Sequence, residues 1–251
     1  MSNEVLNWLG GIVKKIESFL VSVIMPAYNS SATITESIES VLQQEYLNWE
    51  LIIVDDGSQD DTVNIVKSYQ QRYEKISLYM NADNRGAGFC RNKAIENAQG
   101  RFIAFLDADD IWCKDKLSIQ VNFMIENKFE LTYSYYQTFG KKKRIIKAPP
   151  QVTYSELLKS NVIGCLTAIY DTRRIGKKYM PLIRKRQDMG LWLDILTDVK
   201  YAYCCPKILA HYREGYGMTS NKLSVLAYQW RFYREVVGLS VFKSLYFYFF
   251  Y

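Results

Sequence analysis

Four short apolar runs, separated by stretches of helical spacing, constrain the fold of this chain more than any other feature. They are Val21-Ser-Val-Ile-Met25, Glu50-Leu-Ile-Ile-Val54, Ile76 to Met80, and Arg101-Phe-Ile-Ala-Phe-Leu106. Each has the length of a strand and is too short for a helix that could stand alone. Between them, Ser31 to Gln44 repeats apolar residues at Ile34, Ile38, Val41 and Leu42. A second helix is expected over Asp60 to Tyr73, and a third over Ala87 to Ala98, ended by Gly100. Strands alternating with helices of this length predict an α/β domain with right-handed crossovers and a mostly parallel sheet. The carboxyl ends of such strands share one edge, and ligands gather there.

That edge is acidic. Asp107-Ala108-Asp109-Asp110 ends the fourth run. Carboxylates crowded at one point repel one another and lose hydration unless a cation sits among them. Mg²⁺ and Mn²⁺ prefer such oxygen ligands and often bridge a carboxylate to a substrate's phosphates. The same residues also read as an Asp-rich helix cap. Pro26-Ala27-Tyr28-Asn29 follows the first run, and Asp55-Asp56-Gly57-Ser58 follows the second, with Asp60 and Thr62 beyond. Tyr28 reads either as a platform for a nucleotide base or as a structural tyrosine. Asp55 is either a site residue or the holder of the strand-end turn. Gly57 and Gly86 mark tight turns.

Past about residue 115 the pattern changes. A helix through Lys128 precedes an expected strand over Glu130 to Tyr136, the basic turn Lys141 to Arg144, and Pro149-Pro150. A helix over Asp188 to Leu196 and strands near Tyr201 to Tyr203 and Ile208 to Tyr212 complete the sheet. On spacing alone Asp188 is a helix cap, and Trp192 fits helix packing as well as an acceptor platform.

Composition excludes several functions. The net charge is +6, but the basic residues are scattered, with neither a long stripe nor a nucleic-acid module. The five cysteines show no paired metal spacing, and their odd number without a secretory signal suggests reduced thiols in a cytoplasmic setting. A single histidine, His211, rules out a multi-histidine metal site, so the chemistry must run mainly on carboxylates. No run reaches the roughly 20 apolar residues of a membrane span. Val5, Leu6, Leu9, Ile12, Val13, Ile16, Phe19 and Leu20 recur at helical spacing, predicting an amphipathic helix over residues 1–20. That helix and the aromatic run Leu245 to Tyr251 each fit a peripheral membrane surface, or packing on the domain or on a second subunit.

Five motifs in order carry a resemblance. They are Val23-Ile-Met-Pro-Ala-Tyr-Asn29; Val54-Asp-Asp-Gly-Ser58-x-Asp60-x-Thr62; Asn84-x-Gly86 leading to Arg91-Asn92; Phe105-Leu-Asp-Ala-Asp-Asp110; and Arg186-Gln-Asp188-Met-Gly-Leu-Trp-Leu193. In these the chain resembles the family 2 glycosyltransferases of the GT-A fold, from about Val21 to Asn221. The resemblance implies a Rossmann-like mixed sheet flanked by helices in a single catalytic domain over 21–221. Residues 21–115 would be its nucleotide-sugar half and 116–221 its acceptor half, with 222–251 a helical, aromatic tail.

It further implies a nucleotide-diphosphate sugar, by family habit a UDP-sugar, across the first half of the sheet. Pro26, Ala27, Tyr28 and Asn29 would lie beside the base and Asp56 would hydrogen-bond it. Arg91 and Arg213 would approach the phosphates, and Asp107 and Ala108 the ribose. Asp109 is the expected ligand of Mn²⁺ or Mg²⁺, with Asp107 and His211 as further candidates. Asp188 corresponds to the family's general base, which implies inversion at the anomeric carbon; Thr167 and Trp192 are acceptor-side candidates. The family often has Glu-Asp where this chain has Gln187-Asp188. The expectation is a metal-dependent transferase building a bacterial surface polysaccharide on a lipid-linked saccharide at the inner face of the cytoplasmic membrane. A nucleotidyltransferase is disfavoured by the missing glycine-rich loop. A non-catalytic nucleotide-sugar-binding scaffold, or an oligomerisation subunit, would have no need of Asp188.

Overall fold

A computed structural model describes residues 19–215 and 222–250. The expected helix over 1–20 therefore lies outside the described residues, apart from Phe19 and Leu20. The first half alternates as predicted: β1 (Val21–Ala27), α1 (Ile34–Leu42), β2 (Trp49–Asp55), α2 (Thr62–Gln70), β3 (Ile76–Met80), α3 (Ala87–Asn97) and β4 (Phe102–Phe105). Then come β5 (Ile111–Trp112), α4 (Lys116–Asn127), β6 (Leu131–Phe139), β7 (Ile145–Ile146), β8 (Gln151–Val152), α5 (Tyr154–Lys159), β9 (Ile169–Asp171), α6 (Thr172–Ile175), α7 (Gln187–Asp198) and β10 (Ala202–Arg213). Helix α8 (Lys222–Arg231), a π-helical turn (Phe232–Val236) and α9 (Val241–Phe249) follow.

The strands form one sheet in the order β3-β2-β1-β4-β9-β6-β10-β5, with β7 against β6 and β8 against β10. β1 runs parallel to both β2 and β4, in registers that set Ala27 beside Asp55 and Ile24 beside Phe105. β6 and β10 form the other long parallel ladder, while the short β9 enters antiparallel between β4 and β6. Strand order reverses between β1 and β4, and a crevice is expected outside the carboxyl ends at such a point.

Side chains alternate between the faces of β1, β2 and β4. Ile24, Ile52, Val54, Ile103 and Phe105 pack with Cys90, Ala94 and Ile95 of α3 and with α7. Val23, Met25, Leu51, Ile53 and Ala104 pack with Ile38 and Val41 of α1, Val66 of α2 and Val121 of α4. Burial on both faces explains why these strands read as continuous apolar runs. Position 100, two residues before β4, requires glycine because a Cβ there would lie 2.6 Å from the backbone nitrogen of Ser22.

Two expectations change. The separate strands near 201–203 and 208–212 are one strand, β10. Exposed Pro206 and Lys207 lie between the two stretches; Pro206 has no N–H to donate, and the register with β6 shifts between Cys205 and Ile208. The tail is also tied to the core: Phe232 and Tyr233 are buried in the same cluster as Trp192.

Candidate functional site

The loops after β1 and β2 hold each other. Asn29, in the left-handed region at φ 48, donates its backbone N–H to Ser58 Oγ at 2.9 Å and accepts from the Gln59 N–H at 2.8 Å. The Ser30 N–H reaches Thr62 Oγ1 at 2.7 Å, and the Ser31 N–H reaches Asp60 Oδ2 at 3.0 Å. Asp55 accepts from the N–H groups of Gly57 and Ser58, so it is the holder of the turn. Ala27 is buried, whereas Tyr28 is 48% exposed at the strand end and free to present its ring to a ligand.

Asp56 is buried, and its carboxylate accepts from Asn81 Nδ2 at 2.9 Å and from the backbone N–H groups of Arg85 at 2.9 Å and Gly86 at 2.7 Å. Burial opposes ionisation, but these hydrogen bonds outweigh it and hold the carboxyl below its ordinary pKa. Asp56 thus fixes the turn into α3, where Gly86 takes φ 89 and Gly57, across from Asp83, takes φ 78. A cavity of about 720 Å³ opens beside this turn, lined by residues that include Asn81, Arg85, Phe89 and Tyr179.

The Asp107 cluster lies where β4 ends. Arg91 of α3, buried beneath it, donates to Asp107 Oδ1 at 2.5 Å, and Asp107 keeps about 31% of its side chain exposed. Burial alone would favour loss of the Arg91 proton; Asp107 more than offsets this, with Asp188 adding to it, so the guanidinium stays charged. Asp109 is half-buried and lacks such a partner. Burial first, and the Asp107 charge second, push its carboxyl up to about 6. Asp110 is almost wholly buried; burial and its two acidic neighbours raise it well above the usual carboxylate range.

Arg213, at the end of β10, ties down the same loop. Its backbone N–H donates to Asp110 Oδ1 at 2.9 Å, its Nε to the Asp109 carbonyl at 2.8 Å, and its Nη2 to Glu36 Oε2 at 2.5 Å. The guanidinium also stacks 4.5 Å from the centre of the Phe139 ring. Thr33 Oγ1 donates to the Ala108 carbonyl at 2.9 Å, fixing the loop to the start of α1.

Asp188 stands in the first turn of α7, and its Oδ2 accepts from Asn161 Nδ2 at 2.9 Å. The neighbouring Gln187 faces Arg91, with Nη1 3.5 Å from Oε1. Helices α3 and α7 meet closely here: a Cβ on Gly88 would come 2.9 Å from Gln187 Cδ. Arg91 therefore joins Asp107, at the carboxyl end of β4, to the helix end that carries Asp188.

Other candidates sit elsewhere. Trp192 is fully buried and packs edge-to-face on Phe105 at 5.4 Å, so it belongs to the core rather than to an acceptor surface. Thr167 is also fully buried, its hydroxyl donating to the Gly164 carbonyl at 2.7 Å. His211 Nε2 lies 3.5 Å from Cys113 Sγ, and burial, then Lys143, lowers its pKa. Among the described residues no three His, Cys, Asp or Glu side chains converge as a metal site, so His211 does not join Asp107 and Asp109 in one. The residues that sequence reading did not single out are Asn161, Glu36 and Gln187 as the partner of Arg91. The contact of Glu36 with Arg213 spans 177 positions, and no local spacing signals it.

The donor set suits a hard cation. Asp107 and Asp109 offer carboxylate oxygens, and burial first, then the neighbouring Asp107 charge, oppose ionisation of Asp109, which a bound cation would favour. A divalent ion held by these two would draw its remaining ligands from water and from substrate phosphates.

Comparison with known proteins bears on family and fold. The profile described as "Glycosyl transferase family 2" matches residues 22–180. TuaG of Bacillus subtilis strain 168, a proposed teichuronic acid biosynthesis glycosyltransferase, is 41% identical over 230 residues, covering 90% of this chain and 91% of its own. WfgD of Escherichia coli, a UDP-Glc:α-D-GlcNAc-diphosphoundecaprenol β-1,3-glucosyltransferase, is 41% identical over 219 residues, covering 86% of this chain and 85% of its own. The crystal structure of S. aureus TarS 1–349 in complex with UDP shares the fold, with a TM-score of 0.68 at 22% identity, over 89% of this chain and 68% of the other.

Proposed function

The chain belongs to glycosyl transferase family 2, and we propose that it transfers a sugar, with inversion, from a UDP-sugar to a saccharide carried on a polyprenyl diphosphate, in the assembly of a bacterial surface polysaccharide. The observation that carries this reading is Arg91, whose one guanidinium touches Asp107 at the donor end and Gln187, next to Asp188, at the other. One guanidinium thus stands between Asp107 and the helix end that carries the candidate base. The names of TuaG and WfgD, each 41% identical over most of both chains, support the substrate class.

The acceptor hydroxyl oxygen attacks the anomeric carbon from the face opposite the diphosphate. Asp188 takes the hydroxyl proton as the new C–O bond forms, and the electrons of the bond to the diphosphate leave with UDP. Asn161 Nδ2 fixes one carboxylate oxygen of Asp188, leaving the other for that proton. The Asn161 Oδ1 atom is buried with no hydrogen-bond partner among the described residues. Tyr28 stacks on the uracil, and Asp56 holds the Arg85–Gly86 turn that borders it. Asp107 and Asp109 would hold Mn²⁺ or Mg²⁺, which supplies positive charge where the departing diphosphate gains negative charge. Arg213 braces the Asp109 loop against Glu36.

The test is release of UDP from UDP-glucose in the presence of N-acetylglucosaminyl-diphosphoundecaprenol and Mn²⁺, followed by linkage analysis of the product. Acceptor-dependent release and a β-linked product from an α-linked donor are expected. Absence of release across a panel of UDP-sugars and lipid-linked saccharides would overturn the reading.

A further inference from the structure

Helix α9 turns its more apolar side outward. Phe242, Leu245, Tyr246 and Phe249 share one side of it, and Ser244, Phe247 and Tyr248 the other. The outward set is open to solvent, with Phe242 and Phe249 each 86% exposed. The inward set is packed: Ser244 is buried, Phe247 lies against Tyr233, and Tyr248 meets Trp230 edge-to-face at 6.0 Å. A surface helix of a water-soluble domain has the opposite polarity. The helix is properly begun, with Ser240 capping the Lys243 N–H, so this face is a formed surface.

Its rim is basic. Lys159 of α5 places its ammonium 4.9 Å from the Phe250 ring centre and 6.0 Å from that of Tyr246. Lys243 is exposed on the flank. Large aromatic side chains surrounded by cations match the chemistry of an anionic bilayer, with acyl chains beneath phosphate head groups. Position supports the same occupant. Tyr233 Oη donates to the Leu158 carbonyl of α5 at 2.5 Å, and Asn161, just past that helix, donates to Asp188.

We propose that the outer face of α9 docks the protein on an anionic lipid bilayer, with Phe242 and Phe249 entering the acyl region and Lys159 and Lys243 at the phosphates. The α5 segment, and through Asn161 the Asp188 end of the crevice, would then lie beside the lipid. This deepens the reading of a lipid-linked acceptor and rests on it only for its purpose.

The experiment is co-sedimentation of the full chain with vesicles of phosphatidylethanolamine and phosphatidylglycerol, against vesicles of phosphatidylcholine alone. Wild type should bind the anionic vesicles more tightly, and added salt should weaken that binding. Phe242→Ser and Phe249→Ser should each weaken it about tenfold or more, and Lys159→Gln about fivefold, with unchanged thermal midpoints. Equal binding by wild type and by the Phe242→Ser/Phe249→Ser double variant would overturn the proposal. So would a wild-type dimer that the double variant turns into a monomer, since the face would then be a protein interface. UDP release measured in parallel separates the two readings. Vesicle binding without transfer leaves docking standing and removes the acceptor; equal transfer by both proteins to acceptor in vesicles does the reverse.

Discussion

Replacing Asp109 with Asn is expected to make the metal-free protein more stable while abolishing its metal-dependent binding of UDP. Asp109 ionises only at about 6 because it is largely buried and faces Asp107. Against an unfolded carboxyl near 3.8, that rise of about two units corresponds to about 3 kcal/mol held against the fold once Asp109 is ionised. Water still reaches part of the side chain, so about 1–3 kcal/mol is the expected gain, or roughly 2–10 °C in Tm for a chain of this size. The sign is definite. A carboxyl whose folded pKa is raised contributes its stabilisation below its unfolded pKa and loses it as pH rises through the folded value. The gap between variant and wild type should therefore be small near pH 4, open up to about pH 6, and stay level above. Urea unfolding in EDTA across this range measures it, and calorimetry of UDP with Mn²⁺ measures the functional loss. A variant less stable than wild type at neutral pH, or a gap independent of pH, would refute the argument that uncompensated charge is stored at this position.

Asp188→Asn should lower kcat by about 10²–10⁴ while leaving UDP affinity unchanged, and unchanged transfer would remove Asp188 from the role of base. Gly100→Ala must separate β1 from the start of β4, since the new Cβ meets backbone at 2.6 Å, and should cost about 1–3 kcal/mol or more in chemical unfolding. Lys116 is fully buried with Gln120 and the Thr167 carbonyl as its hydrogen-bond partners, and burial lowers its pKa to about 7. Wild type should thus lose stability as pH falls from about 10 towards 7, and Lys116→Met should flatten that slope in unfolding titrations.

Strands β1, β2 and β4 were legible because both their faces are buried, which leaves no polar alternation to confuse the reading. Ile76–Met80 was placed to the residue, and β1, β2 and β4 to within two. Strand β10 was not legible as one element, because Pro206 imitates a break that the chain passes through as an irregularity in the ladder. Within the site, residue types at strand ends were readable, but their partners were not. Asp55 and Asp56 are adjacent and chemically identical, yet one closes its own turn and the other reaches to Arg85 and Gly86. Only tertiary structure separates those roles. Trp192 shows the opposite case, since a helix spacing that admitted either a platform or a core residue is resolved by burial against Phe105.

The place of β9 bears on how the chain is made. β1 to β4 come from one continuous stretch and can pair as soon as they leave the ribosome, but the second neighbour of β4 is not β6, the next long strand in the chain. It is β9, which emerges only after α4, β6 and α5. Until then, Phe102 to Phe105, all fully buried in the finished protein, form an open sheet edge with unpaired backbone donors and acceptors. An apolar edge of this kind templates pairing with other chains. Synthesis that stalls before Asp171 should therefore leave nascent chains prone to aggregate and dependent on chaperones.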